Sequence, residues 1–279
     1  MYNSVATWVI VLVIGALILL MSELGFRIGK NEKVSPTADR PTGVVQAAAF
    51  TLVGLLIAFS FSIALSRYDA RRAVTLREAN SIGTTVLRTD LLDAQSAVRE
   101  RNLLRQYVAA RIAFAAGGTN PSARAQKDDR STALQRDMWT NAVRAARRDP
   151  RSTTIPLFVE SLNETIDLSD EQASILSANI PALVLGVLVL IALVAAVMMG
   201  FGFGRQNERG LVSSIMFAVM LALAIGVTLD LDRPQRGFIR VSLAPLTAVA
   251  RSLGPPEGVS RSARKSSAEH RTLKESRPL

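Results

Sequence analysis

The segment GLLIAFSFSIALSRYDARRAVTLREANSIG (residues 54–83) starts as an apolar stretch and ends as a charged one, with no proline between the two halves. Irregular backbone inside a lipid bilayer would leave amide and carbonyl groups unpaired, so a membrane-crossing apolar half must be helical. Because no helix-breaking residue follows, the sequence predicts that this helix leaves the membrane and continues into a helical domain. A helix over residues 44–92 would be roughly 70 Å long.

The composition indicates a membrane protein. The chain has 279 residues, of which 49% are hydrophobic and only 5% aromatic, and its mean hydropathy is +0.25. The absence of cysteine excludes disulfides and thiolate sites, and a single histidine leaves little for a histidine-based metal site. A net charge of +10 would suggest nucleic acid for a soluble protein, but membrane proteins collect Lys and Arg on their cytoplasmic side. We therefore expect no nucleic-acid partner.

Four apolar runs approach the ~20 residues that a transmembrane helix needs. They cover residues 5–22, 44–66, 180–203 and 211–229, and none contains a charged residue. A cleavable signal peptide is the alternative for the first run. That run lacks a basic start and a clean small-residue cleavage site, so a transmembrane helix is favoured.

The region between the second and third runs, residues 67–179, is polar, rich in Ala and Arg, and predicted to be a helical cytoplasmic domain. Ser169 and Gln172 have the spacing of a capping box, which predicts that the last helix of this domain begins near Ser169. Residues 230–253 are predicted to form a C-terminal segment that packs against the central domain. Residues 254–279 are basic and almost without apolar side chains, so we expect a disordered tail.

Basic residues near the membrane spans predict the orientation of the chain. They follow the second and fourth spans and recur in the tail: Arg67, Arg71, Arg72, Arg77, Arg233, Arg236 and Arg240 are examples. The distribution favours both termini and the central domain in the cytoplasm.

Leu55, Phe59 and Ile63 recur at i, i+4 and i+8 and share one face of the second span. In an oligomer this face could form stacked apolar rings that gate a pore by dewetting. The alternative is contact with lipid or with another helix. Arg67, Arg71 and Arg72 follow this face, and they are interpreted first as interfacial anchors and second as residues that attract anions.

Two glycine patterns carry weaker signals. Gly25 and Gly29 have the GxxxG spacing that allows helices to approach closely, and Glu23 and Arg27 can form an i, i+4 ion pair. The run GFGFG at residues 200–204 follows no strand, so it is interpreted as the flexible end of the third span.

No spacing typical of a catalytic or metal site is present, and the sequence predicts no cofactor.

Three stretches resemble bacterial membrane proteins of unknown function that carry a bestrophin-like domain. They are residues 55–83, VLRTDLL at 86–92 and LDLDRPQRGFIRVS at 229–242. Bestrophins are pentameric, mostly anion-selective channels with cytoplasmic termini. The resemblance implies that this chain has an all-α, four-span fold with its termini on the same side. It also implies pore-neck residues at Leu55, Phe59 and Ile63, the last lying eight residues before Arg71.

The chain departs from bestrophins in places that concern gating. Arg72 and Ala73 occupy the positions of two tryptophans, and no calcium-binding clasp is recognisable around Asp230 and Asp232. The resemblance therefore supports the fold more strongly than it supports conduction or calcium gating. The leading hypothesis is an oligomeric anion channel whose partners are lipid, small anions and further copies of the chain. The alternative is a non-conducting scaffold or sensor whose helical domain binds a partner, and an enzyme is not expected.

Overall fold

The structure is a computed structural model that describes residues 7–31, 39–116, 121–177, 181–232 and 239–254. These residues form eight α-helices and one short 3₁₀ turn at Thr89–Leu91. The helices are α1 (Thr7–Asn31), α2 (Asp39–Arg88), α3 (Ala94–Ala116), α4 (Pro121–Arg148), α5 (Ile155–Ser177), α6 (Ala182–Arg205), α7 (Leu211–Asp232) and α8 (Ala244–Ser252). The predicted all-α fold is confirmed.

The chain divides into two compact units. The membrane unit comprises Met1–Arg71 and Ile175–Val241, and the central unit comprises Arg72–Ser174 and Ser242–Leu279. Four helices are long and apolar enough to cross a bilayer, namely α1, α2, α6 and α7. The predicted membrane helix that runs without a break into a charged one is α2, which is helical over its full 50 residues.

Glycines bring α1 and α6 into backbone contact within the membrane unit. A Cβ atom on Gly25 would overlap the carbonyl oxygen of Val197, and one on Gly200 would overlap that of Ser22. The GxxxG prediction for α1 is therefore confirmed, whereas the prediction of a flexible end at residues 200–204 is wrong. These residues are the last turns of α6, and their glycines serve close packing rather than flexibility.

The beginning of α5 corrects a second prediction. The helix starts at Ile155, so Ser169 lies in its interior and does not cap it. Pro156 is tolerated because a proline in the first turn removes an N–H group that would have no helical partner anyway. The side chain of Ser169 instead donates to the carbonyl oxygen of Ile166, at 2.8 Å, and accepts from Gln135, at 2.6 Å.

Helix α8 packs against α3 in the central unit. Leu246 is completely buried in the core of that unit. Arg105 of α3 donates to the carbonyl oxygens of Leu253 and Gly254, at 2.8 and 3.0 Å. Gly254 has φ +66°, the left-handed conformation that glycine commonly adopts after a helix end. The predicted disordered tail lies outside the described residues except for this glycine.

Candidate functional site

The three predicted pore-neck residues lie on a face of α2 that none of the other described helices covers. Leu55, Phe59 and Ile63 are 50%, 59% and 46% exposed. About 120° around the helix axis, Val53 and Ala64 are buried in the apolar core of the membrane unit. Helix α2 therefore packs within the chain through one face and leaves the face with the neck candidates free.

Arg71 is almost entirely buried, with 2% of its surface exposed. Its guanidinium donates to the carbonyl oxygens of Leu231, at 3.1 Å, and Asp232, at 3.2 Å, in the last turn of α7. Carbonyl groups at a helix C-terminus lack helical partners and carry partial negative charge, so they suit a buried cation. Arg71 thus ties α2 to the end of α7 and does not offer its charge to solvent.

The other two basic candidates have different surroundings. Arg67 is half-buried in the membrane unit, whereas Arg72, the first residue of the central unit, is exposed. The structure therefore does not bring Arg67, Arg71 and Arg72 together as one exposed basic cluster. Asp230 is also buried, and its Oδ2 accepts the backbone N–H of Ile239 at 3.0 Å.

A polar network in the central unit was not predicted from the sequence. Arg111 of α3 donates through Nε to Glu78 of α2, at 2.5 Å, and through a terminal nitrogen to Gln172 of α5, at 2.7 Å. Both charged side chains are fully buried. Burial raises the pKa of Glu78, and the neighbouring Arg111 opposes this shift. No sequence signal joins these residues, because three separate helices supply them.

A second buried carboxyl group lies between α3 and α4. Glu100 is fully buried, and Asn141 donates to its Oε2 at 2.7 Å and to the carbonyl oxygen of Ser96 at 3.1 Å. The other carboxyl oxygen, Oε1, is buried without a hydrogen-bond partner. Burial raises the pKa of Glu100 to about 7, although Asn141 and Arg99 lower it.

Metal ligands do not cluster in the part of the chain that the structure describes. No group of three or more His, Cys, Asp or Glu residues there could hold a metal ion. The described residues therefore offer three candidate features. They are the exposed apolar face of α2, the buried Arg71 at the end of α7, and the buried polar groups of the central unit.

A model of the bestrophin-like domain matches residues 10–246. The chain belongs to the bestrophin-like family. A sequence search of curated proteins finds no match for this bestrophin-like protein.

Solved structures of bacterial bestrophin homologues share the bestrophin-like fold. A homologue from Klebsiella pneumoniae has a TM-score of 0.64 at 13% identity, over 87% of this chain and 96% of that one. A point variant of a homologue from the same organism has a TM-score of 0.65 at 13% identity, over 87% and 97%. A crystal structure described as that of a membrane protein has a TM-score of 0.65 at 12% identity, with the same coverage. At these identities, the likeness establishes the fold alone. The family match together with four helices apolar enough to cross a bilayer indicates a membrane protein.

Proposed function

We propose that this protein is one subunit of a homo-oligomeric channel for small anions. The observation that carries the proposal is the exposed apolar face of α2, formed by Leu55, Phe59 and Ile63, in a chain with a bestrophin-like domain. Helix α2 already packs within the chain through another face, so its exposed apolar side chains must contact something outside the chain. In an oligomer whose α2 helices surround a common axis, these side chains would line the pore.

The proposed neck would act by excluding water. Residues four apart on a helix rise by ~6 Å, so three rings would line a dry path about two turns long. An ion loses hydration there, which is costly unless the path is wide. Exposed Arg72 and half-buried Arg67 would attract anions toward the neck, and Arg71 would hold α2 against α7.

The family suggests further features of the assembly. We propose a pentamer in the bacterial inner membrane, with both termini and the central unit in the cytoplasm. The proposal assigns no catalytic residue and no cofactor.

The alternative function is a membrane scaffold or sensor that binds a partner through its central unit. The exposed pair Trp139 and Val143 favours it, since the two lie at i and i+4 on the solvent-facing side of α4, where most other exposed side chains are polar. Exposed aromatic side chains are typical anchors of protein interfaces.

Chloride flux into liposomes containing the purified protein tests the channel proposal. Replacing Leu55, Phe59 and Ile63 by Ala should increase basal flux several-fold, because less apolar bulk remains to exclude water. The control is Phe61→Ala with Leu65→Ala, two similarly exposed residues of α2 that face a different direction. If the triple variant assembles normally but conducts no more than the parent and the control, the face serves packing, and the scaffold function is favoured.

A further inference from the structure

The membrane unit contains a cavity of about 500 Å³ between α1, the end of α6 and the start of α7. Its size falls within the range of ~300–1,000 Å³ that is typical of small-molecule sites. Most of its wall is apolar, and Leu19, Leu20, Leu211 and Ile215 are exposed in the chain. The cavity thus opens onto the apolar outer surface of α1 and α7, and both helices are long enough to cross a bilayer.

Arg209 is a cation at this cavity that pairs with none of the described acidic residues. Arg209 lines the cavity, and its guanidinium lies 5.4 Å from the centre of the Phe26 ring. None of the ion pairs formed among the described residues involves Arg209. The acidic side chain in the lining, Glu23, is bonded to Arg27 at 3.0 Å. The uncompensated charge at the cavity is therefore positive.

The lining also contains two hydroxyl groups. Ser22 is 4% exposed, and its hydroxyl oxygen lies 3.1 Å from that of Ser214 on α7. The cavity therefore combines apolar walls, a hydroxyl pair and a guanidinium that forms no ion pair with a described residue. This combination matches an amphiphile with an anionic head better than it matches a neutral apolar molecule or a free ion.

We propose that the cavity binds an anionic phospholipid of the surrounding membrane. The phosphate lies at Arg209, whose planar guanidinium suits phosphate oxygens, and one acyl chain runs along Leu19, Leu20, Leu211 and Ile215. The bound lipid fills the space between α1 and α7 and thereby stabilises the membrane unit. The proposal is independent of whether the protein conducts ions.

Thermal unfolding of the purified, delipidated full chain in detergent tests the site. Added dioleoyl-phosphatidylglycerol should raise the Tm at lower concentrations than dioleoyl-phosphatidylcholine. Arg209→Gln should raise the half-maximal concentration of phosphatidylglycerol about tenfold, and because Arg209 is exposed, the variant should fold normally. Lys30→Gln is the control, since it removes a positive charge from the exposed end of α1 without altering the cavity lining.

A second variant and a soluble probe complete the test. Ala16→Phe places a bulky ring in the cavity wall and should weaken the phosphatidylglycerol effect while Arg209 is retained. The proposal is overturned if Arg209→Gln responds to phosphatidylglycerol like the parent, or if Lys30→Gln loses the response to the same extent. It is also overturned if glycerol phosphate alone gives the same Tm shift, because the site would then bind a free phosphate and not a lipid.

Discussion

At the scale of single residues, Glu100 is a buried carboxyl group whose protonation is coupled to folding. It has a pKa of about 7 in the folded chain, against an ordinary value of 4.5. The folded state therefore binds more protons than the unfolded state between these two values. Stability should fall as the pH rises from about 4.5 to 7 and remain level above that, with a total loss on the order of 3 kcal/mol.

Glu100→Gln should remove this pH dependence, because glutamine is neutral and its side-chain carbonyl can still accept from Asn141. We expect the Tm of the variant to exceed that of the parent at pH 8 and to approach it at pH 4.5. Glu160→Gln is a control with an exposed carboxyl group. A Tm difference between Glu100→Gln and the parent that stays constant from pH 4.5 to 8 would contradict the prediction.

The pair of Glu78 and Arg111 places two opposite charges in the interior of the central unit. Removing charges from water is costly, and the cost is recovered only where hydrogen bonds satisfy both groups. Gln172 contributes by accepting from Arg111 and donating to Thr75 at 3.2 Å. A shift of α2, α3 or α5 within this unit would separate Arg111 from Glu78 or Gln172 and leave a buried charge with fewer hydrogen bonds.

At the scale of helices, glycines allow the backbones of α1 and α6 to come into direct contact. Gly25 and Gly29 of α1 lie against Val197 and Phe201, while Gly200 and Gly204 of α6 lie against Ser22 and Phe26. The backbones approach so closely that Cα–H groups can contact carbonyl oxygens directly. Apolar side chains gain little by leaving lipid, so van der Waals contact between backbones is a main source of helix association in membranes.

Gly200→Ala should therefore destabilise the membrane unit, since the added methyl group would overlap backbone atoms of Ser22 that cannot move independently of α1. We expect the Tm in detergent to fall by several degrees. Gly186→Ala is a matched control on the same helix, because a Cβ atom there meets nothing within 4 Å. Equal effects of the two substitutions would show that the cost comes from general properties of α6 and not from its contact with α1.

Two arginines use the same chemistry at different helix ends. Arg71 donates to the last carbonyl groups of α7 in the membrane unit, and Arg105 donates to the carbonyl groups that follow α8 in the central unit. In each case a cation compensates the partial negative charge of a helix C-terminus. Arg71 was predicted as an interfacial or anion-attracting residue, and its buried contacts favour a structural role at this position.

At the scale of the whole molecule, the proposed orientation follows from the basic residues next to the membrane helices. Reporter fusions after Gly118 and after Leu279 should both report the cytoplasm. A fusion after Asn207, in the turn between α6 and α7, should report the opposite side. A periplasmic signal from the fusion after Gly118 would contradict the orientation and favour a sensor whose central unit faces outward.

Local composition sufficed to predict the all-α class, the four apolar helices and the continuity of α2. Hydropathy and the absence of proline act over neighbouring residues, and lipid permits few structures other than a helix for such segments. The GxxxG spacing of Gly25 and Gly29 was also visible locally. The start of α5 was mispredicted because the spacing of Ser169 and Gln172 was interpreted as a capping box, whereas the helix already begins at Ile155.

The sequence alone did not show which groups would be the hydrogen-bond partners of the buried polar side chains, because this depends on which helix faces pack together. Glu78 and Arg111 are 33 positions apart, and Arg71 is 160 positions from the carbonyl group of Leu231. No local pattern predicts such pairs, because each of these residues, seen only with its sequence neighbours, looks like a charged residue on a solvent-exposed surface. Folding buries them, and burial is what gives Glu78 and Glu100 their raised pKa values and makes Arg71 a link between helices. These properties arise from packing between distant segments, where desolvation makes each polar group depend on its neighbours.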